Sequence, residues 1–161
     1  MSALTEFVAS LSEEDWCAEQ LGTQLSEHLD AILLVDEERS DPRLDSAGLT
    51  TALQPILARL GSAFGPGFPK LVSLVRLRAG DTIPLHRDGP AQCPQMIPRR
   101  VHIALQTNPE VAFEVGGECR HLGTGAITEI NEWRPHTVSN RGARHRIHLV
   151  IDWLSFAPPA A

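Results

Sequence analysis

The feature that most limits what this chain can fold into is the pattern of its second half. There, short segments of alternating or consecutive apolar residues are separated by turn residues such as AGD, TNPE, GGE and NRGA. The segments that predict strands are LVSLVRLR at 71–78, RVHIAL at 100–105, VAFEV at 111–115, AITEI at 126–130 and RIHLVIDW at 146–153. Several short strands at this spacing predict a sandwich or barrel of antiparallel strands.

The first third of the chain predicts helices that brace one side of this β structure. Ser12, followed three residues later by Asp15, forms a variant of the capping box and predicts a helix over residues 13–27. AILLV at 31–35 predicts a strand. A second helix is expected over residues 50–64, because its apolar residues recur at helical spacing and a GPG sequence follows it.

The length of 161 residues predicts a single domain, 1–161, that buries a core without disulfides. Within it we expect a mostly helical part at 1–68, a β core at 69–154 and a loose tail at 155–161. The three cysteines show no C-x-x-C spacing, so reduced thiols are expected. Because the sequence shows no secretory signal and no apolar stretch of membrane length, it predicts a soluble, cytoplasmic protein with no membrane partner.

The charge of the chain is distributed unevenly. Residues 1–50 carry twelve Asp or Glu and two Arg, a balance of −10, whereas residues 51–161 carry eight acids and twelve bases, a balance of +4. Thirteen of the fourteen basic residues are Arg, whose planar fork binds a carboxylate or phosphate through two hydrogen bonds. A net charge of −6 argues against nucleic acid. We therefore expect a small anionic ligand rather than a nucleic-acid partner.

The sequence IPLHRDGP contains a pair of candidate metal ligands. His86 and Asp88 stand two residues apart, so both side chains leave the same face of an extended segment. Pro84 before the pair and Gly89-Pro90 after it indicate a strand end that opens to solvent. Alone, the pair favours a surface histidine beside a solvated aspartate over a metal site.

His136 strengthens the metal interpretation, because it also lies where a turn-rich segment, EWRPH, meets a strand. Two imidazoles and one carboxylate from two strands form the facial triad that leaves three metal positions open, which suits Fe(II) and O2 chemistry. A closed zinc site would instead require a fourth protein ligand, more often Cys.

Arg146 follows His136 by ten residues and begins the strand RIHLVIDW, so it is predicted to lie deep in the same cavity. There it would bind the far carboxylate of 2-oxoglutarate through two hydrogen bonds. Arg100 and His102 share one face of RVHIAL and would reach the same anion. For Arg100, an exposed position on an edge strand is an alternative.

Three motifs resemble the aspartyl/asparaginyl beta-hydroxylase family of iron and 2-oxoglutarate dependent oxygenases. They are H-x-D in IPLHRDGP, R-x-H-x-x-L in RRVHIALQTN, and NEWRPHTVSNRGARHRIHLVIDW. The resemblance spans residues 71–153. It implies a mainly β double-stranded beta-helix of the jelly-roll or cupin type, with N-terminal helices, and it implies that His86, Asp88 and His136 are the iron ligands.

The same resemblance extends to the co-substrate site. It implies that Arg146 anchors the 2-oxoglutarate carboxylate, with Arg100 and His102 as supporting contacts. Asn140, four residues after His136, matches a recurring family position for which we expect a turn-forming role.

Two departures from the family narrow the expected substrate. The animal enzymes have a glycine at the position of Asp88, and this chain lacks the large helical repeat domain that presents protein substrates in those enzymes. Hydroxylation of epidermal-growth-factor-like domains is therefore not implied. A free amino acid, or an Asp, Asn or other residue of a short peptide, is the expected substrate.

The function that follows is an Fe(II)- and 2-oxoglutarate-dependent dioxygenase that uses O2 to hydroxylate an unactivated C–H bond, with release of succinate and CO2. One alternative is a cupin-like metal-dependent isomerase or lyase that uses the same ligands without a co-substrate. Another is a non-catalytic module that binds 2-oxoglutarate or a peptide.

Some polar and aromatic residues allow two interpretations. Arg76 and Arg78 alternate on LVSLVRLR, and a solvated edge is favoured over contact with a substrate carboxylate. His148 shares a face with Arg146, so it either lines the pocket or is a core histidine. Trp133 lies in the loop before His136, where it either contacts substrate or covers the core.

Overall fold

The computed structural model describes residues 2–16, 28–35, 48–88 and 98–156, which form two antiparallel β-sheets and two helices. The helices are α1 (Ser2–Ser10) and α2 (Leu49–Phe64), with a 3-10 turn at Glu13–Asp15 between them. The strands are β1 (Leu29–Val35), β2 (Gly67–Leu77), β3 (Thr82–His86), β4 (Arg99–Gln106), β5 (Val111–Val115), β6 (Glu118–Arg120), β7 (Ile127–Ile130), β8 (His136–Asn140) and β9 (Arg146–Ser155).

The strands are divided between a larger and a smaller sheet. The larger sheet has the order β1-β2-β9-β4-β7, and the smaller sheet has the order β3-β8-β5-β6. Neighbouring strands are antiparallel throughout both sheets. The chain crosses repeatedly from one sheet to the other, as in a jelly roll. This architecture confirms the prediction of a mainly β fold with N-terminal helices.

The larger sheet lies between the helices and the smaller sheet, so β9 is buried on both faces. Ile147, Leu149, Ile151 and Trp153 belong to the core cluster shared with the helices. The alternate residues Arg146, His148, Val150 and Asp152 lie on the opposite face, toward the smaller sheet. The polar face of this strand is therefore enclosed between two sheets instead of facing solvent.

The helix and strand predicted at 50–64 and 31–35 are confirmed, but the helix predicted at 13–27 is wrong at its start. Glu13–Asp15 forms only a 3-10 turn, and Trp16 is extended, with φ −88° and ψ 122°. The capping interaction does exist, because the backbone N–H of Ser12 donates to the Asp15 carboxylate at 2.8 Å. Residues 17–27 lie outside the described residues.

Among the described elements, α1 and β6 were not predicted, and β3 and β8 were indicated only as strands at His86 and His136, without bounds. β3 contains Pro84, which lowers strand propensity, but β3 is the edge strand of the smaller sheet, where a missing N–H costs no ladder hydrogen bond. β6 is three residues long. The sequence therefore identified the central strands better than the short or marginal ones.

The expectation of a solvated edge for Arg76 is wrong. β2 lies between β1 and β9, and Arg76 is 4% exposed. Its Nη1 and Nη2 atoms donate to the two carboxylate oxygens of Glu13 at 2.7 and 2.8 Å, and its Nε donates to Asp30 at 2.9 Å. Arg78 also donates to Asp30. The ion pair between Arg76 of β2 and Glu13 connects the N-terminal segment to the larger sheet, and the acids compensate the buried charge of Arg76.

Three expectations concern features outside the core: membrane spans, cysteine thiols and the C-terminal tail. Within the described ranges, no helix is long and apolar enough to cross a membrane. Cys119 is an exposed free thiol, whereas Cys17 and Cys93 lie outside the described residues. The tail expected at 155–161 also lies outside them from residue 157 onward.

Candidate metal centre and its cavity

The structure brings His86, Asp88 and His136 together at one end of the space between the sheets. β3 and β8 are paired with His86 opposite His136, and the backbone N–H of Asp88 donates to the carbonyl oxygen of Glu132 at 3.2 Å. The Nε2 atom of His86 lies 3.6 Å from Asp88 Oδ1, and the Nε2 atom of His136 lies 3.8 Å from Asp88 Oδ2. The three ligand atoms lie within 4.8 Å of one another, so one cation can contact all of them.

Both imidazoles are oriented as metal ligands require. Nδ1 of His86 donates to the carbonyl oxygen of Pro84 at 2.7 Å, and Nδ1 of His136 donates to that of Arg134 at 3.0 Å. With the proton held on Nδ1, the lone pair of each Nε2 faces the common point. Burial, with a contribution from the neighbouring His86, lowers the pKa of His136. The neutral, metal-binding form of His136 is therefore favoured, and the donor set fits a divalent metal.

Arg100 holds the carboxylate of this cluster. Its Nε and Nη2 atoms donate to Asp152 at 2.8 Å each, and its Nη1 donates to Asp88 and lies 3.1 Å from Glu132 Oε2. Burial alone would lower the pKa of Arg100, but the hydrogen bonds to Asp152 and the nearby carboxylates raise it above its ordinary value. Because β4 lies between β9 and β7, the edge-strand alternative for Arg100 is wrong.

Glu132 is a buried acid beside this cluster, 5% exposed. Burial, together with the carboxylates of Asp152 and Asp88, raises the pKa of Glu132 to about 7, although Arg100 opposes the shift. Glu132 therefore adds an ionisable group next to the candidate ligands. The sequence indicated only that its loop precedes His136.

A cavity of about 190 Å³ extends from the candidate ligands into the space between the sheets. Its lining combines the three candidate ligands with Arg100, His102 and Arg146 and with apolar side chains of both sheets. The apolar residues are Leu29, Leu71, Val75, Ile83, Phe113, Val138 and Val150. The predicted site residues thus share one cavity with largely apolar walls.

Arg146 is a buried cation without a carboxylate partner. It is 1% exposed, its Nη2 donates to Nδ1 of His148 at 2.8 Å, and its Nε has no hydrogen-bond partner. In the part of the chain that the structure describes, no acid forms an ion pair with it, and burial lowers the pKa of its guanidinium to about 9. The group is still protonated at neutral pH. Burying a lone charge is costly, so this position is suited to an anionic ligand.

His102 and His148 flank the guanidinium as neutral groups. Burial, followed by the charge of Arg146, lowers both pKa values well below the ordinary value for histidine. Nδ1 of His102 lies 3.4 Å from Nη2 of Arg146, so both rings present an acceptor to it. His102 lines the cavity, whereas His148 is buried behind Arg146 with its Nε2 unpartnered. The core interpretation of His148 is the better one.

Sequence reasoning missed two residues of this region. Asp152 shares the alternation of RIHLVIDW with Arg146, and that signal was available, but its pairing with Arg100 requires the β4–β9 register. Phe113 packs edge-to-face on His102, with ring centroids 5.3 Å apart, and its ring lies 5.7 Å from the Arg146 guanidinium carbon. Nothing in VAFEV distinguishes this ring from an ordinary core residue.

Trp133 precedes His136 in the sequence and Asn140 follows it. Asn140 is fully buried, and its side chain donates to the carbonyl oxygens of Arg78 and Arg144 and accepts from the N–H of Gly142. These contacts agree with a turn-forming role. Trp133 is 45% exposed in the loop before His136, so it does not cover the core.

The fold and the site together define a jelly-roll protein of the cupin type with a candidate two-histidine, one-carboxylate metal centre. The sequence profile described as aspartyl/asparaginyl beta-hydroxylase matches residues 47–155. The chain belongs to this family, as its motifs predicted. No curated protein sequence matches it.

Solved structures with a similar fold support the architecture. An oxidoreductase of the 2OG-Fe(II) oxygenase family from Burkholderia pseudomallei is 18% identical, with a TM-score of 0.59 over 82% of this chain and 70% of that one. The plu4264 protein from Photorhabdus luminescens is 13% identical, with a TM-score of 0.54 over 91% and 86%. The Cnp3 cupin domain from Schizosaccharomyces pombe is 11% identical, with a TM-score of 0.50 over 92% and 71%. At these identities the similarity shows the fold alone, and it confirms the predicted jelly roll.

Proposed function

We propose that the chain is an Fe(II)- and 2-oxoglutarate-dependent dioxygenase that hydroxylates an unactivated C–H bond of a free amino acid or of a residue in a short peptide. Membership of the family supports a hydroxylase-type role. The observation that carries the proposal is the guanidinium of Arg146, which forms no ion pair with a described acid and lies in the same cavity as the candidate metal ligands. A dicarboxylate that bridges the two would neutralise this buried charge.

In this proposal His86, Asp88 and His136 hold the iron. Two neutral imidazoles and one carboxylate leave three positions for other ligands, the arrangement typical of non-haem iron oxygenases. Bound iron would supply O2 activation, which couples oxidation of 2-oxoglutarate to succinate and CO2 with insertion of one oxygen atom into a C–H bond. The protein supplies the orientation of the reactants.

Arg100 is a positioning residue in this scheme. Asp152 holds its guanidinium by two hydrogen bonds, and the remaining Nη1 group holds the carboxylate of Asp88. This chain of contacts fixes the rotamer of Asp88, so the carboxylate faces the same point as the two imidazoles.

Arg146 would bind the far carboxylate of 2-oxoglutarate. Its unpartnered Nε is available to such an anion, and His148 fixes the plane of the guanidinium through Nη2. The apolar walls strengthen the interaction, because they exclude water and lower the local dielectric constant. His102 and Arg100 line the same cavity and would act as supporting contacts.

The test is succinate formation by protein loaded anaerobically with Fe(II) and then given 2-oxoglutarate and air. The reaction is run with and without a panel of free amino acids and short peptides. We expect succinate that requires iron, is abolished in His136→Ala and requires far more 2-oxoglutarate in Arg146→Gln. Arg144→Gln, an exposed arginine outside the cavity, is the matched control and should behave like the wild type.

The alternatives give different results in the same experiment. Absence of succinate, together with absence of 2-oxoglutarate binding to the metal-loaded protein, would refute the proposal and favour a cupin-like isomerase or lyase. Binding of 2-oxoglutarate without turnover under any condition of the panel would instead indicate a binding module.

A further inference from the structure

A second cavity, here called the lateral cavity, opens between the edge strands β6 and β7. Its volume is about 220 Å³. β6 is the last strand of the smaller sheet and β7 the last strand of the larger one, so the barrel is open to solvent between them.

The lateral cavity adjoins the candidate metal centre. Phe113 lines both cavities. Val115, another lining residue, is the cross-strand partner of His136. Ile130 is the cross-strand partner of Arg100. A molecule in the lateral cavity would therefore lie one strand away from the candidate ligands.

The lining of the lateral cavity suits a small molecule that is both apolar and charged. Its floor is formed by Phe113, Val115, Leu122 and Ile130. Two cations, Arg120 and Arg134, and two acids, Glu118 and Glu129, also line it. Glu129 accepts a hydrogen bond from Arg99 at 2.8 Å, so its charge already has a partner outside the cavity lining. The contact between Arg120 and Glu118 is long, at 3.4 Å, and exposed, so it holds neither group firmly.

Arg134 is held in place by the turn between β5 and β6. Its Nη2 donates to the carbonyl oxygen of Gly116 at 3.0 Å, and the N–H of Gly116 donates to the carbonyl oxygen of Pro135 at 2.7 Å. Gly116 has φ +56°, and a Cβ there would lie 2.2 Å from Arg134 Nε. Only a glycine therefore permits this placement. The hydrogen bond to Gly116 engages one N–H of the fork, and the remaining N–H groups can bind a second group.

We propose that the lateral cavity binds the substrate that is hydroxylated, and that this substrate is a small molecule with a free carboxylate, which Arg134 binds with help from Arg120. The inference rests on the proposed function and narrows its substrate class. A fixed guanidinium with free N–H groups selects a planar anion. The apolar floor then covers the remainder of the molecule, which extends toward the candidate metal centre.

The experiment compares free L-amino acids with their primary amides as stimulators of succinate formation. The two forms have nearly the same shape, but the amide lacks the negative charge. We expect stimulation by one or more acids and little or none by the corresponding amides. For the stimulating acid, Arg134→Gln should raise KM about tenfold or more with kcat nearly unchanged, because a charge-assisted bond made equally before and during reaction is lost. Arg120→Gln should raise KM only about two- to threefold, because Arg120 is held by one long contact to Glu118, whereas the backbone of Gly116 positions Arg134.

Controls separate this inference from the proposed function. Succinate formed without any substrate is measured for each variant, because the carbonyl oxygen of Arg134 accepts the hydrogen bond that orients His136. An increase in KM for the stimulating acid that exceeds any change in this uncoupled reaction assigns the effect to substrate binding. Arg141→Gln, an exposed arginine outside both cavities, should match the wild type throughout. Ligand-observed NMR of the acids on the anaerobic metal-loaded protein gives a readout that needs no turnover. Arg134→Gln should abolish the signal of the stimulating acid.

The results that would overturn the assignment are specific. They are equal stimulation by acids and amides, an unchanged KM in Arg134→Gln, or no binding and no stimulation by any acid while uncoupled succinate formation persists. Absence of all succinate formation would refute the dioxygenase instead. In that case, the NMR experiment would still decide whether carboxylates bind through Arg134.

Discussion

Arg76 and Arg146 lie on neighbouring strands of the larger sheet, on opposite faces, and their surroundings differ sharply. Arg76 faces the helices, where Glu13 and Asp30 satisfy its guanidinium and Trp16 stacks 4.6 Å from it. Arg146 faces the smaller sheet, where it contacts two neutral histidines and no carboxylate among the described residues. Both are nearly inaccessible to solvent.

The pKa directions of the two guanidiniums show the consequence. For Arg76, burial would lower the pKa, but the hydrogen bonds to Glu13 and Asp30 outweigh burial and raise it. For Arg146, burial acts alone and lowers the pKa to about 9. Burying a charge costs free energy, and for Arg76 the acids of the fold compensate for that cost. For Arg146, beside a cavity, a bound anion would compensate for it. The following experiments test this distinction.

The largest effect on folding is expected for Arg76→Met. The substitution leaves the buried carboxylate of Asp30 with Arg78 as its remaining partner, so the free energy of unfolding should fall by about 3 kcal/mol. Urea denaturation followed by circular dichroism measures this loss. The affinity of the folded protein for 2-oxoglutarate should not change. A fall in affinity with unchanged stability would assign Arg76 to the ligand site and contradict the comparison.

Arg146→Met should give the reverse pattern. No acid in the described ranges loses a partner, so the free energy of unfolding should stay within about 1 kcal/mol of the wild type. The binding free energy of 2-oxoglutarate should weaken by about 2–5 kcal/mol, so Kd should rise by at least about thirtyfold. Calorimetric titration of the anaerobic metal-loaded protein measures it. A strongly destabilised variant that keeps its affinity would show that Arg146 is structural.

The pH dependence of anion binding sharpens the same comparison. The pKa of Arg146 in the free folded protein is lowered to about 9, and a bound carboxylate favours the protonated form. Affinity should therefore be constant below pH 8 and fall by up to tenfold per pH unit above pH 9. Glutarate binding to metal-free protein isolates this site, and Arg146→Met is the control. Affinity that stays constant up to pH 11 would exclude Arg146 as the anchor.

The smallest effect is expected for Glu13→Gln. Glu13 supplies the exposed end of the Arg76 pair, with a side chain that is 79% exposed, so solvent screens its charge. The free energy of unfolding should fall clearly less in Glu13→Gln than in Arg76→Met. Asp30→Asn should lower it more than Glu13→Gln does, because Asp30 is buried. Denaturation midpoints of the two variants give the ranking, and the opposite ranking would show that Glu13 dominates the pair.

Local sequence patterns predicted a large part of this molecule. The alternation of LVSLVRLR, RVHIAL and RIHLVIDW placed three strands within a few residues of their observed bounds, and it separated Arg100 and His102 from the helix-facing Val101, Ile103 and Leu105. The H-x-D spacing and the strand that follows His136 also predicted which side chains would meet. These successes have a common reason, because strand alternation depends only on neighbours in the chain.

The N-terminal segment shows the limit of such patterns. Ser12 and Asp15 form the predicted capping contact, yet the segment is a 3-10 turn, and Glu13 reaches Arg76, 63 residues away in the sequence. The local signal for a helix was real. The tertiary ion pair between Glu13 and Arg76, which no short-range pattern contains, outweighed it.

The sequence alone determined which residues alternate along each strand and which motifs are available for chemistry. The tertiary structure decided the face that each set occupies. In RIHLVIDW, the apolar set covers the helix side, and the polar set is enclosed by the second sheet. Pairing β4 with β9 gave Arg100 its partner in Asp152, while no described acid pairs with Arg146. These outcomes depend on register and layer order, which are set by contacts between residues far apart in the chain.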